Sequence, residues 1–160
     1  MSEGNEITFR NIERRDEAPL LRLRNIPSNV MFFKNPNTVS AEEHANWFAS
    51  RLNKFEELQI VGELAGQLIG IVFLVPQDDI SGTISINIDS EFQSQGTGHE
   101  LLKRMLSRAD ALRFTRIEAL IHNSNIKSIS LFEKCGFVYE DNVSEFFSSY
   151  VRLVNQETSR

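Results

Sequence analysis

Two stretches of this chain carry residue types and spacings that could do chemistry. In the first, Gln93-Ser94-Gln95-Gly96-Thr97-Gly98 follows a β-prone segment, Thr83 to Asp89, and runs into an amphipathic helix. Glycine at Gly96 and Gly98 removes the β-carbons that would hold a ligand off the main chain. Successive N–H groups and the positive end of the helix can then converge on an anion, and a pyrophosphate suits such a cradle. The plain alternative is a glycine-rich turn that binds nothing. The second stretch is Asn125-Ile126-Lys127-Ser128-Ile129-Ser130-Leu131-Phe132-Glu133-Lys134-Cys135-Gly136-Phe137. Asn125 is a good N-cap, Ile129, Leu131, Phe132 and Cys135 supply apolar surface, and Gly136 stands where a helix ends in a left-handed residue. For proton transfer the candidates are His122, whose side-chain type titrates near ~6.5, together with His44 and Glu63. Each also has an ordinary reading as a solvated or hydrogen-bonded residue.

The elements that must position these residues follow from periodicity. Ile7 to Ile12 reads as a first strand. Asp16 to Asn25 carries Leu20, Leu21 and Leu23 at helical spacing, and Ser40 to Leu52 opens with a Ser-x-x-Glu capping box and places Ala45, Phe48 and Leu52 on one face. Pro27 to Val39 between them reads as a loop. Leu58 to Leu64 and Leu68 to Val75 form a hairpin around Ala65-Gly66-Gln67, and Thr83 to Asp89 adds the next antiparallel strand. A long helix from Gly98 to Leu112 turns Leu101, Leu102, Met105, Leu106 and Ala109 inward. A strand from Ile117 to His122, the capped helix, and strands near Phe137 to Glu140 and Phe146 to Leu153 complete the pattern. The expected class is α+β, a mixed and mostly antiparallel sheet flanked by helices.

Composition excludes several alternatives. With 160 residues, 41% hydrophobic and 24% charged, the chain is long enough for one core and reads as a single domain, 1–160. A net charge of -5 argues against nonspecific nucleic-acid binding, which needs clustered Lys and Arg. No apolar run is long enough to span a bilayer and no charged-then-apolar leader opens the sequence, so a cytoplasmic protein without membrane association is expected. The lone Cys135 cannot form an internal disulfide. No Cys/His cluster has metal-ligand spacing, and no metal is expected.

The Gln93 to Gly98 loop and the Asn125 to Phe137 segment, in this order and separation, resemble the two marks of the GNAT superfamily of acetyl-coenzyme A dependent N-acetyltransferases. The resemblance covers most of the chain. It implies a split between the strand before the loop and the strand before the second motif, with the pantetheine arm of acetyl-CoA added to the exposed edge through main-chain groups of Ile86 and Ile88. It assigns Gln93, Ser94, Gln95, Gly96, Thr97 and Gly98 to the pyrophosphate, and Asn125 and Phe132 to the surroundings of the cofactor. Ordinary core packing is the alternative for the two isoleucine side chains and for Phe132, and helix capping alone for Asn125. Many family members carry Tyr at the Phe132 position to protonate the departing thiolate. A thiol with a pKa near ~8.5 can leave without a strong acid, and Ser128, Tyr139 and Tyr150 are the substitutes. His122, with Asn87 on the opposing strand, is the catalytic candidate.

Acceptor recognition is expected from the N-terminal third. Arg24 and Asn25, the aromatic loop with Phe32 and Phe33, and the Glu42 to Phe48 segment with His44 and Trp47 resemble elements of GNAT enzymes that acetylate nucleotide-linked amino sugars, of the pseudaminic acid pathway type. Leu23 replaces the Trp of that pattern. Aromatic rings could stack a base and Arg24 could pair a phosphate, whereas Trp47, Phe48 and Phe33 could equally bury the helices. The resulting expectation is acetyl transfer to a small-molecule amine, a nucleotide amino sugar first. The alternatives are a ribosomal-type protein N-terminus, a polyamine, or a binding module without turnover. A homodimer is compatible with the sequence.

Overall fold

The computed structural model describes residues 6–154, Glu56 by its main chain alone. Seven strands form one sheet in the order β1-β2-β3-β4-β5-β7-β6. Its strands are β1 (Ile7–Asn11), β2 (Gln59–Leu64), β3 (Gln67–Pro76), β4 (Ser81–Ile88), β5 (Arg116–His122), β6 (Val138–Asn142) and β7 (Phe147–Leu153). All neighbours run antiparallel except β4 and β5, which run parallel. The apolar run Leu68 to Leu74 fits the centre of the sheet, where both faces are covered. The Val-Tyr-Glu-Asp-Asn sequence of β6 fits an exposed edge, where carboxylates discourage further pairing.

Helices cover the two faces unequally. On one face lies α4 (Thr97–Ala111), whose Leu101, Leu102, Met105, Leu106 and Ala109 are buried against Ile60, Val72, Leu74 and Ile84. The same core continues to Phe132 of α5 (Ile126–Lys134) and Tyr150 of β7. The other face carries α1 (Glu17–Arg24) and α3 (Ala41–Leu52), where Leu20, Leu23 and Phe48 pack with Val61, Leu68 and Ile71. Ser40 starts α3 as anticipated, its Oγ accepting from the Glu43 N–H at 3.1 Å. The expected loop from Pro27 begins instead with a short helix, α2 (Pro27–Val30), because Pro27 presets the first helical φ and needs no N–H partner there.

The split is present. β4 and β5 pair only at Ser81/Arg116, Gly82/Ile117 and Thr83/Glu118. Beyond that point β4 stays bonded to β3 as far as Ile88, and β5 stays bonded to β7 as far as His122. Two strand edges therefore face each other without a ladder.

Candidate active site

The open edge of β4 presents specific main-chain groups. The N–H of Asp89 donates to the Ile69 carbonyl of β3 at 2.8 Å, which turns the N–H and C=O of Asp89 and Asn87 toward β3. Strand alternation then directs those of Ile86 and Ile88 into the split. Their side chains are partly buried against the α4 core, as ordinary packing requires. A β-carbon on Gly70 would lie 2.7 Å from Ile88 Cδ1, so glycine at that position makes room for the isoleucine.

Downstream of Ile88 the chain makes a 3-10 turn, Ser90–Phe92, capped by Asp89, whose Oδ1 accepts from the Glu91 N–H at 3.1 Å. Asp89 is buried and pairs through Oδ2 with Arg22 of α1 at 2.7 Å. The loop that follows has Ser94 at φ 64° and Gly96 at φ 87°. Gly96 caps α4, and the N–H groups of Thr97, Gly98 and His99 precede the first intrahelical bond, Glu100 N–H to Gly96 C=O. A β-carbon on Gly96 would meet nothing within 4 Å. Thr97 is 2% exposed, and its Oγ1 finds no hydrogen-bond partner among the described residues. Open space, first-turn N–H groups and an unpaired hydroxyl together fit an anion at this helix start.

The two glycines therefore differ in role, contrary to the sequence expectation. Gly98 does not clear space for a ligand. A β-carbon there would sit 3.2 Å from Leu131 Cδ2 of α5, with Ile88 and Ile86 next, so Gly98 lets α4 and α5 approach.

Gln93 and Asn87 are used for bracing. Asn29, a buried residue of α2 with no sequence signal beyond its type, donates from Nδ2 to Asn87 Oδ1 at 2.8 Å and to the Ile88 carbonyl at 2.7 Å. Its Oδ1 accepts from Gln93 Nε2 at 2.9 Å, and Gln93 Nε2 also reaches the Ile88 carbonyl at 3.2 Å. Asn87 Nδ2 donates to the Leu23 carbonyl at 3.3 Å. This amide network ties α1, α2, the end of β4 and the loop together. Asn87 spends both amide atoms inside it, and Gln93 its Nε2.

Across the split, His122 ends β5 and stands within a cluster of rings. Phe32 lies edge-on at 5.5 Å, Phe147 edge-on at 5.1 Å, and Phe146 stacked at 5.9 Å and 19°. Phe32 comes from the segment after α2, Phe146 from the β6–β7 connection and Phe147 from the start of β7, so three separate chain segments meet at one imidazole. The N–H of Ser124 donates to His122 Nδ1 at 3.1 Å. Asn125 caps α5 as anticipated, its Oδ1 accepting from the Ser128 N–H at 3.3 Å.

Several sequence candidates sit elsewhere. Phe132 is 2% exposed and meets Phe137 edge-to-face at 5.0 Å, so its ring belongs to the core. Asn25 holds Val39 with both amide atoms, at 2.9 and 2.8 Å. Arg24 lies over the Phe33 ring at 4.5 Å and donates from Nη2 to the Asn35 carbonyl at 2.9 Å, while burial pushes its pKa down. His44 is 4% exposed beside Trp47 and Phe48, which removes it from an acceptor surface. Burial also pushes the His44 pKa down; Glu17 opposes and Arg24 adds to the shift. Trp47 lies edge-on to Phe73 at 5.7 Å. Glu63 pairs with Arg10 and, at 3.2 Å, with Arg15, so it is not a free base. Tyr150 is buried with its pKa raised by that burial, and Tyr139 is exposed on the edge strand.

Two clefts lie on the outer surface of α4. One of about 580 Å³ is lined by Phe9, Lys103, Arg104 and Arg108. There Arg104 stacks on Phe9 at 4.3 Å, and Arg108 bonds Asn11 and the Glu57 carbonyl, so these cations fasten β1 to α4. The other, of about 350 Å³, lies between α4 and α5 and is lined by His99, Lys103 and Lys134 among others.

A strand split, a left-handed glycine opening the next helix and a capped helix after the second strand make up this arrangement. Residues 6–138 match the acetyltransferase (GNAT) domain model, and the chain belongs to that family. It is an acetyl-CoA-dependent N-acetyltransferase. It is 29% identical over 149 residues to the spermidine N(1)-acetyltransferase of Vibrio cholerae, covering 90% of this chain and 86% of that protein. The crystal structure of Vibrio cholerae spermidine N-acetyltransferase in complex with CoA and spermine superposes with a TM-score of 0.76 at 26% identity, over 92% of this chain and 95% of that one. The ribosomal-protein-alanine N-acetyltransferase of Brucella melitensis shares the fold, with a TM-score of 0.78 at 20% identity over 92% and 99% of the two chains.

Proposed function

We propose that this chain, read as one domain, transfers the acetyl group of acetyl-CoA to a primary amine of a polyamine by direct attack. The observation that carries the reading is the end of the β4–β5 ladder at Thr83/Glu118, with the main-chain N–H and C=O of Ile86 and the N–H of Ile88 turned into the gap and Gly96 opening α4 just beyond. In this reading the pantetheine arm pairs with that edge as an added strand, and the pyrophosphate takes the free N–H groups of α4. The cleft holding His99, Lys103 and Lys134 receives the phosphate at the adenosine end, where cations complement its charge.

The acceptor enters from the opposite face, between α2 and the β6–β7 connection. Phe32, Phe146 and Phe147 present aromatic surface there, which suits alkyl segments and ammonium groups alike. Glu145 precedes Phe146 in the same turn, and the protein as a whole carries a net charge of -5, so a polycation is drawn toward the surface. The spermidine acetyltransferase relatives support the same class of acceptor.

A nucleotide-linked amino sugar is the second reading. It is favoured by Arg24 Nη1, which is buried without a hydrogen-bond partner among the described residues. It is weakened by the engagement of the rest of that guanidinium with Phe33 and Asn35.

Thiol release from acetyl-CoA, measured with spermidine, spermine, nucleotide amino sugars and N-terminal peptides, separates the readings. Turnover of the polyamines above the others is the expected result. Turnover of nucleotide sugars alone, or of peptides alone, replaces the proposed acceptor, and acetyl-CoA binding without thiol release in any arm removes the proposed acceptor activity.

A further inference from the structure

His122 has the residue type of a general base, yet its hydrogen bonding points to a different task. Its Nδ1 accepts the Ser124 N–H at 3.1 Å, within a turn closed by the Asn125 N–H donating to the His122 carbonyl at 2.9 Å. A ring nitrogen that accepts a hydrogen bond carries no proton, so the neutral imidazole holds its single proton on Nε2. The ring cannot readily turn over to exchange the two nitrogens. Phe32 and Phe147 meet it edge-on and Phe146 lies nearly parallel to it, so a flip would disturb three contacts and break the bond to Ser124.

The consequence is a nitrogen of defined character at the unpaired end of β5. Nε2 bears a proton and has no in-plane lone pair to receive another, while the lone pair of Nδ1 is committed to the main chain. We propose that His122 serves as a neutral hydrogen-bond donor to the reacting thioester through Nε2–H, and not as the base that deprotonates the amine. The inference rests on the acetyl-transfer reading above for the identity of the acceptor of that bond.

In the step so defined, the lone pair of the neutral amine attacks the acetyl carbonyl carbon and the carbonyl π electrons move to oxygen. Nε2–H donates to that oxygen as its negative charge grows, without giving up the proton. When the tetrahedral species collapses, the C–S bond breaks, its electron pair leaves on the coenzyme A sulfur, and the surplus ammonium proton passes to water. His122 begins and ends the cycle neutral. A buried phenylalanine at position 132, which offers no hydroxyl, is compatible with a site that works by polarising the carbonyl.

Two measurements test this. Long-range proton–nitrogen correlation on the full chain labelled at histidine nitrogen, at pH 8, reads the tautomer directly and needs no substrate. The His122 signals, identified by their loss in His122→Gln, are expected to show protonated Nε2 and bare Nδ1; the opposite tautomer overturns the proposal. In steady-state kinetics His122→Phe keeps an aromatic ring and loses the donor, so kcat should fall about 100-fold, the scale of one lost oxyanion donor. His122→Gln retains an amide N–H and has no basic nitrogen, and should recover most of that loss with a pH–rate profile of the same shape. A glutamine variant as slow as the phenylalanine variant, with its acidic limb gone, makes His122 the base. A phenylalanine variant as fast as the parent removes His122 from the reaction. If the parent protein releases no thiol with any acceptor, the proposed function fails, and the nitrogen spectrum still decides the tautomer.

Discussion

Asn29 Nδ2 donates to Asn87 Oδ1 at 2.8 Å, joining a four-residue helix to the strand that borders the split. The bond links two halves of the site that are far apart in sequence. The same Nδ2 also bonds the Ile88 carbonyl, and the Oδ1 receives Gln93, so one side chain aligns the strand edge with the loop that follows. Replacing it leaves the Asn87 oxygen and one Gln93 donor, both on half-buried residues, without that partner. Asn29→Leu is expected to destabilise the fold by about 1 to 3 kcal/mol, from roughly 0.5 to 1.5 kcal/mol for each of these two hydrogen bonds. It should also weaken acetyl-CoA binding, because the loop is no longer held. Urea unfolding and calorimetric titration check the two effects, and unchanged values in both would remove Asn29 from the architecture of the site.

Gly96 and Gly98 should separate cleanly by substitution. Gly96→Ala places a side chain at φ 87°, a strain of about 1 to 2 kcal/mol, and projects it into the open space in front of α4. Loss of acetyl-CoA affinity is expected, with a modest fall in Tm. Gly98→Val instead drives branched carbon into Leu131, Ile88 and Ile86, which costs about 1 to 3 kcal/mol of packing. Its main effect should appear in stability. Calorimetry and thermal unfolding of the pair give the answer, and a Gly96 variant with parent affinity would move the pyrophosphate elsewhere.

Much of this architecture was legible in the sequence because it rests on periodicity. The apolar runs of β2 and β3, the helical spacing of Leu101 to Ala109, and the Asn125 cap are local patterns, and each appears where it was read. The parts not legible depend on contacts between distant segments. Asn29 lies in a helix too short to show a period, and its partners Asn87 and Gln93 lie 58 and 64 residues further on. The distinction between Gly96 and Gly98 needs a φ angle and a neighbouring leucine, neither of which is written in a glycine. Arg24 and His44 were read as acceptor contacts from their resemblance to elements of enzymes that acetylate nucleotide-linked amino sugars. Phe33 lies over Arg24, and Trp47 and Phe48 pack beside His44, contacts that those residue types do not announce.

Burial of His44 has a consequence for acid stability. Its pKa is lowered in the folded protein, first by desolvation, with Arg24 adding and Glu17 opposing. A base whose folded pKa is depressed contributes full stability above its unfolded value of ~6.5. That contribution is lost as pH falls below it toward the folded pKa, because the unfolded chain takes up the proton first. The parent protein should therefore lose stability between pH 7 and pH 5 through this residue. His44→Leu should reduce the drop. Denaturant unfolding at the two pH values, with and without the substitution, measures the difference; equal drops would assign the acid sensitivity to other groups.

Glu145 tests the polyamine reading most directly, because it can be changed without touching the core. It is exposed in the β6–β7 turn, and its carbonyl accepts from Asn123 Nδ2 at 3.3 Å, so the turn is tied beside the end of β5. The next residue, Phe146, stacks on His122. In the polyamine reading, a carboxylate at this place attracts one ammonium group while another amine of the same molecule enters the split. Glu145→Gln removes the charge and preserves the shape. An exposed ion pair is worth about 0.2 to 1 kcal/mol, so the acceptor KM is expected to rise about 1.5- to 5-fold, with kcat and acetyl-CoA affinity near parent values. Salt should raise the parent KM as well and narrow the gap between the two proteins, since exposed charges are screened beyond about 10 Å at 0.1 M ionic strength. A KM for spermidine that is insensitive both to the substitution and to salt would exclude Glu145 from acceptor recognition.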